Sequence, residues 1–337
     1  VTATRTSDPA AAPAIDLVQR LQTRMRVGLE RIAAARPFTA HEWLRDGGRH
    51  GGGMRHVAVE TPTFNRAAIN VSHVHYDDEP NKPLRSATAL STIIHPDHPL
   101  APSVHIHVSL TLMARGPGYW RMMADLNPSI EDPRATARFA AALREAAPNE
   151  YAQASAQGDR YFYIPALGRH RGVTHFYLEA HATTDPLADL ALATGVGEVA
   201  IDTYHEILAD ALRDAPPPSS AERAEQLAYH TLYLYQVLTL DRGTVSGLAV
   251  HNQNDLGIMG SLPAFVNRDL LTSWAEPTPA LLRPLLLAIV DALPERSPSH
   301  VVDDIRLRLA ELVRAHHRQH PEAAEALAAG DVLPPFR

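Results

Sequence analysis

Residues 103–109, Ser-Val-His-Ile-His-Val-Ser, limit what this 337-residue chain can fold into more than any other stretch. Side chains alternate faces along a strand, so His105, His107 and Ser109 must point the same way, successive ones roughly 6.6 Å apart. A strand buried in an ordinary core would carry Val, Ile or Leu at those positions. The preceding segment, Ser91-Thr92-Ile93-Ile94-His95-Pro96, is also extended in character and reaches the first through a Pro-rich turn. Two imidazoles at that spacing are close enough to share a ligand or a metal. The chemistry of the chain should be sought on this face.

The flanking sequence supplies a sheet and its helices. Residues 56–59, 67–76, 89–94 and 104–113 read as strands separated by Gly and Pro, the pattern of antiparallel hairpins. Leu17, Val18, Leu21, Met25, Leu29 and Ile32 recur at three- and four-residue steps, which predicts an amphipathic helix over residues 15–35. Asp132-Pro133 opens a helix to about residue 147, and residues 160–164 and 172–180 read as further strands. Asp185-Pro186 starts a helical region to about residue 212, with a break at Gly195 and Gly197. Ser219 and Glu222 form a capping box. Residues 233–240 and 244–250 bracket Asp241-Arg242-Gly243, which reads as a hairpin-type turn, and residues 279–293 and 300–316 are helices. The expected fold class is α/β of the α+β type: a disordered segment at residues 1–12, a single domain over 13–295, and a helical extension over 296–337.

Cysteine is absent, which excludes disulfides, thiolate catalysis and Cys-ligated clusters. The net charge of -7 and the lack of a Lys/Arg-rich patch argue against a nucleic-acid partner. No apolar run approaches the roughly 18 residues needed for a membrane span, and no signal-peptide pattern opens the chain, so a cytoplasmic location is expected. No flavin or nicotinamide motif precedes a helix, and Ser246-Gly247 lacks the Gly-x-Ser-x-Gly elbow of hydrolases. His73 and His75 share a face and read as a structural pair. His316, His317 and His320 fall near a helix C-terminus, where they complement its dipole or face solvent. Gly51, Gly52 and Gly53 read as a flexible turn.

In order and spacing, the motifs DGGRHGGGMR (46–55), FNRAAINVSHVH (64–75), ALSTIIHPDHPLAPSVHIHV (89–108), ADLNPSIED (124–132), RYFYIP (160–165), RHRGV (169–173), LDRGT (240–244) and SLP (261–263) resemble the oxygen-dependent coproporphyrinogen III oxidases. The resemblance implies a large flat antiparallel sheet covered by helices on both faces, usually in a homodimer. It also implies oxidative decarboxylation of two propionates to vinyl groups, with O2 as oxidant. It places Ser91 at a substrate-contacting serine, His95 at a proposed metal or structural histidine, and His105 at the proposed proton donor. Asp125 falls on a carboxylate thought to hold pyrrole N–H groups, and Arg171 on an active-site arginine.

The chain also departs from that pattern. The family's His-x-Asn-x-Arg is here His105-Ile106-His107-Val108-Ser109, and its later Gly-Gly-Arg is approximately His251-Asn252-Gln253, so two anion-binding arginines are absent. The Trp-rich, triple-glycine approach to Asp125 has become Tyr119-Trp120-Arg121-Met122-Met123. Neither serine nor glutamine replaces the bidentate charge of arginine. The expectation is therefore an O2-dependent oxidoreductase acting on a small molecule less anionic than coproporphyrinogen III. In it His105, Asp125 and Arg171 are catalytic, Ser91, His107, Ser109, His251, Asn252 and Gln253 contact substrate, and His95, His105, His107 and His175 are candidate ligands for Fe, Cu or Mn. The alternatives are a genuine coproporphyrinogen III oxidase in which Arg115, Arg121 or Arg169 takes over the lost charge, and a non-catalytic binder of a tetrapyrrole or other aromatic.

Overall fold

In the computed structural model, which describes residues 3–250 and 253–328, hairpin pairing of consecutive strands builds most of one sheet. Its strands are β1 (Thr39–Leu44), β2 (Gly51–Val59), β3 (Phe64–His75), β4 (Leu84–Pro96), β5 (Ser103–Met113) and β6 (Tyr119–Asn127), each antiparallel to the next. A short ribbon of β7 (Tyr163–Ile164) and β8 (Arg169–His170) precedes β9 (Thr174–His181), which pairs with β6 and completes seven strands.

Alternation then gives the sheet two different faces. Ile69, Leu90, Ile94, Val104, Ile106, Val108, Met122 and Ala124 lie on one of them and are buried under α1 (Ala12–Ile32), α2 (Pro133–Ala146) and α4 (Pro186–Leu212). Helix α1 presents the predicted stripe, with Leu17, Leu21, Met25 and Leu29 fully buried, each contributing about 1.5–3 kcal/mol. The polar face lies under α5 (Ser220–Thr239), α6 (Arg242–Val250), α7 (Asp255–Ile258) and the 3-10 turn Met259–Ser261. Behind that roof, α8 (Arg268–Ser273), α9 (Arg283–Ala292), α10 (Asp303–Gln319) and the ribbon β10 (Phe265–Val266)/β11 (Ser299–His300) share a second core with α5. The architecture is α+β, a seven-stranded antiparallel sheet with helices on both faces.

Several local expectations give way to tertiary context. Residues 160–162 belong to α3 (Tyr151–Phe162), and only Tyr163 and Ile164 are extended; the aromatic run mimics a strand, yet the helix rests directly on β9 with Gly158 against His175. Residues 233–239 and 242–250 are helical, because the Asp241 carboxylate accepts from Thr244 N (2.6 Å) and so caps α6 instead of turning a hairpin. Helix α4 runs unbroken through Gly195 and Gly197, and Gly197 gives Leu21 room to approach. His316 and His317 are buried rather than solvent-facing. Residues 3–12 are ordered by hydrogen bonds: Thr4 N donates to Gly48 O (2.9 Å), Thr6 N to His73 Nε2 (3.3 Å) and Ser7 N to Asp77 Oδ2 (2.7 Å), and Thr4 Oγ1 meets His75 Nε2 (3.0 Å). His73 and His75 thus hold the N-terminal segment.

The three glycines at 51–53 form strand, not turn, and lie between β1 and β3. Gly51 has φ +85°, and a Cβ there would sit 2.1 Å from the His73 carbonyl oxygen. Gly51→Ala is expected to lower the unfolding free energy by about 2–4 kcal/mol in urea titrations, since it adds both a left-handed backbone penalty and a backbone clash.

Candidate active site

The register brings the polar positions of separate strands into rungs across the sheet. One rung runs Ala68, Ile93, His105, Asp125, His175; the next runs Arg55, Asn70, Ser91, His107, Met123, Tyr177; a third contains Ser72, Ala89, Ser109 and Arg121. Each rung lies two residues from the next, so all of these side chains share a face.

Asp125 is wholly buried at the centre of the first rung. Its Oδ1 lies 3.0 Å from His105 Nδ1, and its Oδ2 accepts from Arg171 Nη2 (2.8 Å) and Asn127 Nδ2 (2.7 Å). Burial alone would raise its pKa, but the Arg171 charge and then His105 override it and hold the carboxyl well below the usual range. An ionised carboxylate only accepts, so the His105 proton sits on Nδ1 and Nε2 is left as the ring's acceptor. Asp125 orients His105 through Oδ1, while its Oδ2 is shared between Arg171 and Asn127.

Arg171 is also turned inward. It is 1% exposed, donates Nη1 to Gln236 Oε1 (2.7 Å), and lies over the rings of Phe162 (4.3 Å) and Tyr233 (5.0 Å). The expectation that it holds a substrate carboxylate therefore meets a guanidinium already paired with Asp125. Cation–π contact and the separate donors of its two guanidinium arms, one to Asp125 and one to Gln236, suit it to this internal clamp.

The four candidate metal ligands do not assemble. His95 is fully buried, with Nε2 donating to Ser261 O (3.0 Å) and Nδ1 bonded to Ser103 Oγ (2.9 Å). Both nitrogens of His175 face acceptors, Asp159 Oδ1 (2.8 Å) and Arg171 O (2.8 Å). His105 keeps Nε2 free and His107 Nε2 meets Ser109 Oγ at 2.9 Å, but among the described residues no three of these ligand atoms converge. A metal needs several unshared nitrogen lone pairs converging on one point, and these residues do not fit one. Among the described residues the ligand atoms of His50, Asp78 and Glu79 do converge, but Arg49 and Lys82 already pair with those two carboxylates.

What remains accessible is the middle of the polar face. Arg55, Asn70, Ser72, Ala89, Ser91, His107 and Arg121 are half-buried, lying between the α7 region on one side and Tyr161, Tyr177 and Ala328 on the other. Ser91 and His107 are directly paired, as are Ser109 and Arg121. Gln253 exchanges two hydrogen bonds with Asp46 (2.8 and 2.9 Å), away from the rungs; His251 and Asn252 fall outside the described residues. Sequence reasoning missed Asn127, Gln236, Tyr161, Tyr177 and Tyr233. Only Asn127, two residues beyond Asp125, carried a local signal.

The family model described as Coproporphyrinogen III oxidase matches residues 14–279. That span covers the sheet, both helical layers and every residue of the first two rungs. The chain belongs to the coproporphyrinogen III oxidase family. It is 27% identical over 322 residues to an oxygen-dependent coproporphyrinogen-III oxidase of Synechococcus sp. (strain CC9605), an alignment covering 83% of this chain and 87% of the relative. Membership makes it an oxidoreductase of that family, and none of its described helices is long and apolar enough to cross a membrane.

Two outcomes follow from the buried charges. Asp125→Ala strands Arg171 in the interior and is expected to cost about 3–5 kcal/mol, measured by urea unfolding. Burial pushes His107 and His230 down to about 3 and His73 down to about 4, from an ordinary 6.5. Below pH 6.5 the unfolded chain takes up protons that the folded chain refuses. Stability is then complete above about pH 6.5 and declines toward pH 4, by up to about 2 kcal/mol at pH 5 for a fully buried histidine such as His230. A Tm series from pH 7.5 to 4.5 should show a steady fall.

Proposed function

We propose that this chain carries out the O2-dependent oxidative decarboxylation of a propionate-bearing porphyrinogen, coproporphyrinogen III being the substrate that the cyanobacterial relative's name indicates. The observation that supports it is the His105–Asp125 pair beside the half-buried stretch from Arg55 to Arg121. That stretch crosses from β2 to β6, roughly 19 Å at ordinary interstrand spacing, a width suited to a flat macrocycle with acid arms.

The conversion removes a hydride equivalent and CO2 from each reacting arm. R–CH2–CH2–COO⁻, one proton and O2 become R–CH=CH2, CO2 and H2O2, with the two electrons of the broken C–H bond passing to O2. His105 is placed to move the proton. Asp125 fixes its tautomer through Nδ1, Nε2 exchanges a proton with the substrate, and the Asp125 charge stabilises the imidazolium while the proton is held. Asp125 is itself balanced by Arg171, so it does not become protonated in the exchange. Ser91 and His107, on the adjoining rung, line the ring-binding surface.

Incubating the protein aerobically with coproporphyrinogen III, and following protoporphyrinogen and H2O2 formation, tests the reading. Turnover by wild type, with kcat lowered about 10²–10⁴-fold in His105→Gln and the fold intact by circular dichroism, is the expected result. Lack of turnover by wild type would reject the reading and return the less anionic substrate inferred from Ser109 and Gln253.

A further inference from the structure

Among the described residues, Arg121 makes no ion pair. It projects from β6 onto the same face as His107 and Ser109 and is half-buried, and its Nε is buried with no hydrogen-bond acceptor among the described residues. The Glu179 charge attracts it, but the nearby acids make their direct contacts elsewhere. Glu179 pairs with Arg242 (3.2 Å), Asp241 accepts from Tyr161 Oη (3.0 Å) and Thr244 N (2.6 Å), and Asp125 is held by Arg171, Asn127 and His105. Its other neighbours, Tyr119, Tyr161 and Tyr177, offer aromatic surface. A guanidinium has five donors and no way to shed its charge, so partial burial without a partner is costly unless a ligand supplies the anion.

We propose that Arg121 anchors a carboxylate of the substrate, and specifically a carboxylate on an arm that does not react at that moment. The inference rests on the function proposed above. A planar carboxylate takes two parallel N–H donors from one guanidinium, which matches an acid arm. Distance separates this anchor from the reacting centre. Arg121 lies four residues along β6 from Asp125, the partner of His105, roughly 13 Å at strand rise, so an arm held by Arg121 belongs to a different part of the ligand from the one at His105. Clamping the carboxylate that leaves as CO2 would stabilise the ground state against its own loss, whereas clamping a spectator arm binds ground and transition states alike.

The position also accounts for a departure in the sequence. Where the family pattern has arginine, residue 109 is serine, and Arg121 is its direct cross-strand partner. Directly opposed residues bring their Cβ atoms to about 5 Å. The positive charge has moved one strand sideways while keeping its rung and its face. Ser109 itself is hydrogen-bonded to His107 Nε2 (2.9 Å).

Steady-state kinetics with coproporphyrinogen III test this directly. Arg121→Gln is expected to raise KM about 10- to 100-fold with kcat within about threefold, and Arg121→Lys to recover part of the loss. An unchanged KM, or a fall in kcat alone, would overturn the assignment. A structural role is checked separately: removing an unpaired charge should leave Tm equal or higher, and a Tm lowered by several degrees would also count against it. If wild type does not turn over, the reading above fails, and a binding comparison still decides the anchor. Fluorescence titration of wild type with coproporphyrin III and with its tetramethyl ester should favour the acid by about tenfold or more, a preference that Arg121→Gln abolishes. Equal binding of acid and ester by wild type, or an undiminished preference in the variant, rejects the anchor.

Discussion

The salt bridge between Asp125 and Arg171 is the constraint around which the rest of the site is arranged. It places a full negative and a full positive charge where water does not reach, and such a pair costs less the more of its remaining hydrogen-bonding groups are met. Asn127 and His105 complete the carboxylate, Gln236 completes one arm of the guanidinium, and Phe162 and Tyr233 cover its faces. These partners come from β5, β6, α3 and α5. The pair therefore ties the sheet to its roof, and the orientation of His105 is a by-product of solving a desolvation problem.

The sheet was legible because its signal is local. Alternation along residues 103–109 and the spacing of Leu17, Leu21, Met25 and Leu29 each follow from the geometry of one element. The helices over residues 233–250 were not, because Tyr229, Tyr233 and Tyr235 are β-favouring residues recruited to line a core that forms only when α9 and α10 arrive. The site shows the same division. His105, Ser91 and His107 could be placed on one face by counting. That Arg171 faces Asp125 rather than substrate depends on a contact between positions 46 residues apart, and that His95 and His175 have spent both ring nitrogens depends on Ser261 and Asp159. Residue type nominates a ligand; occupancy of its lone pairs decides whether it is one.

The departures from the family pattern look different once register is known. Read along the chain, Arg-to-Ser at position 109 and an arginine in a glycine-rich stretch at position 121 are two unrelated changes. Across the ladder they are one neighbourhood, since the two positions face each other. Loss of a charged residue from a motif is evidence about substrate only after its spatial neighbours have been searched.

Ala328 packs with Met123, Tyr161, Phe162 and Tyr177, and its N–H donates to Leu240 O (2.8 Å). The wall beside Arg121 is thus built partly from backbone far downstream of the sheet. During synthesis the sheet, α1 and α4 can form while the later helices are still being made, because domains and their subunits fold as they emerge. The candidate site closes later, because its wall at Ala328 follows every strand of the seven-stranded sheet along the chain. A chain lacking that segment would keep the sheet and the helices α1, α2 and α4 that cover its apolar face, while the polar face beside Arg121 would lose one of its walls.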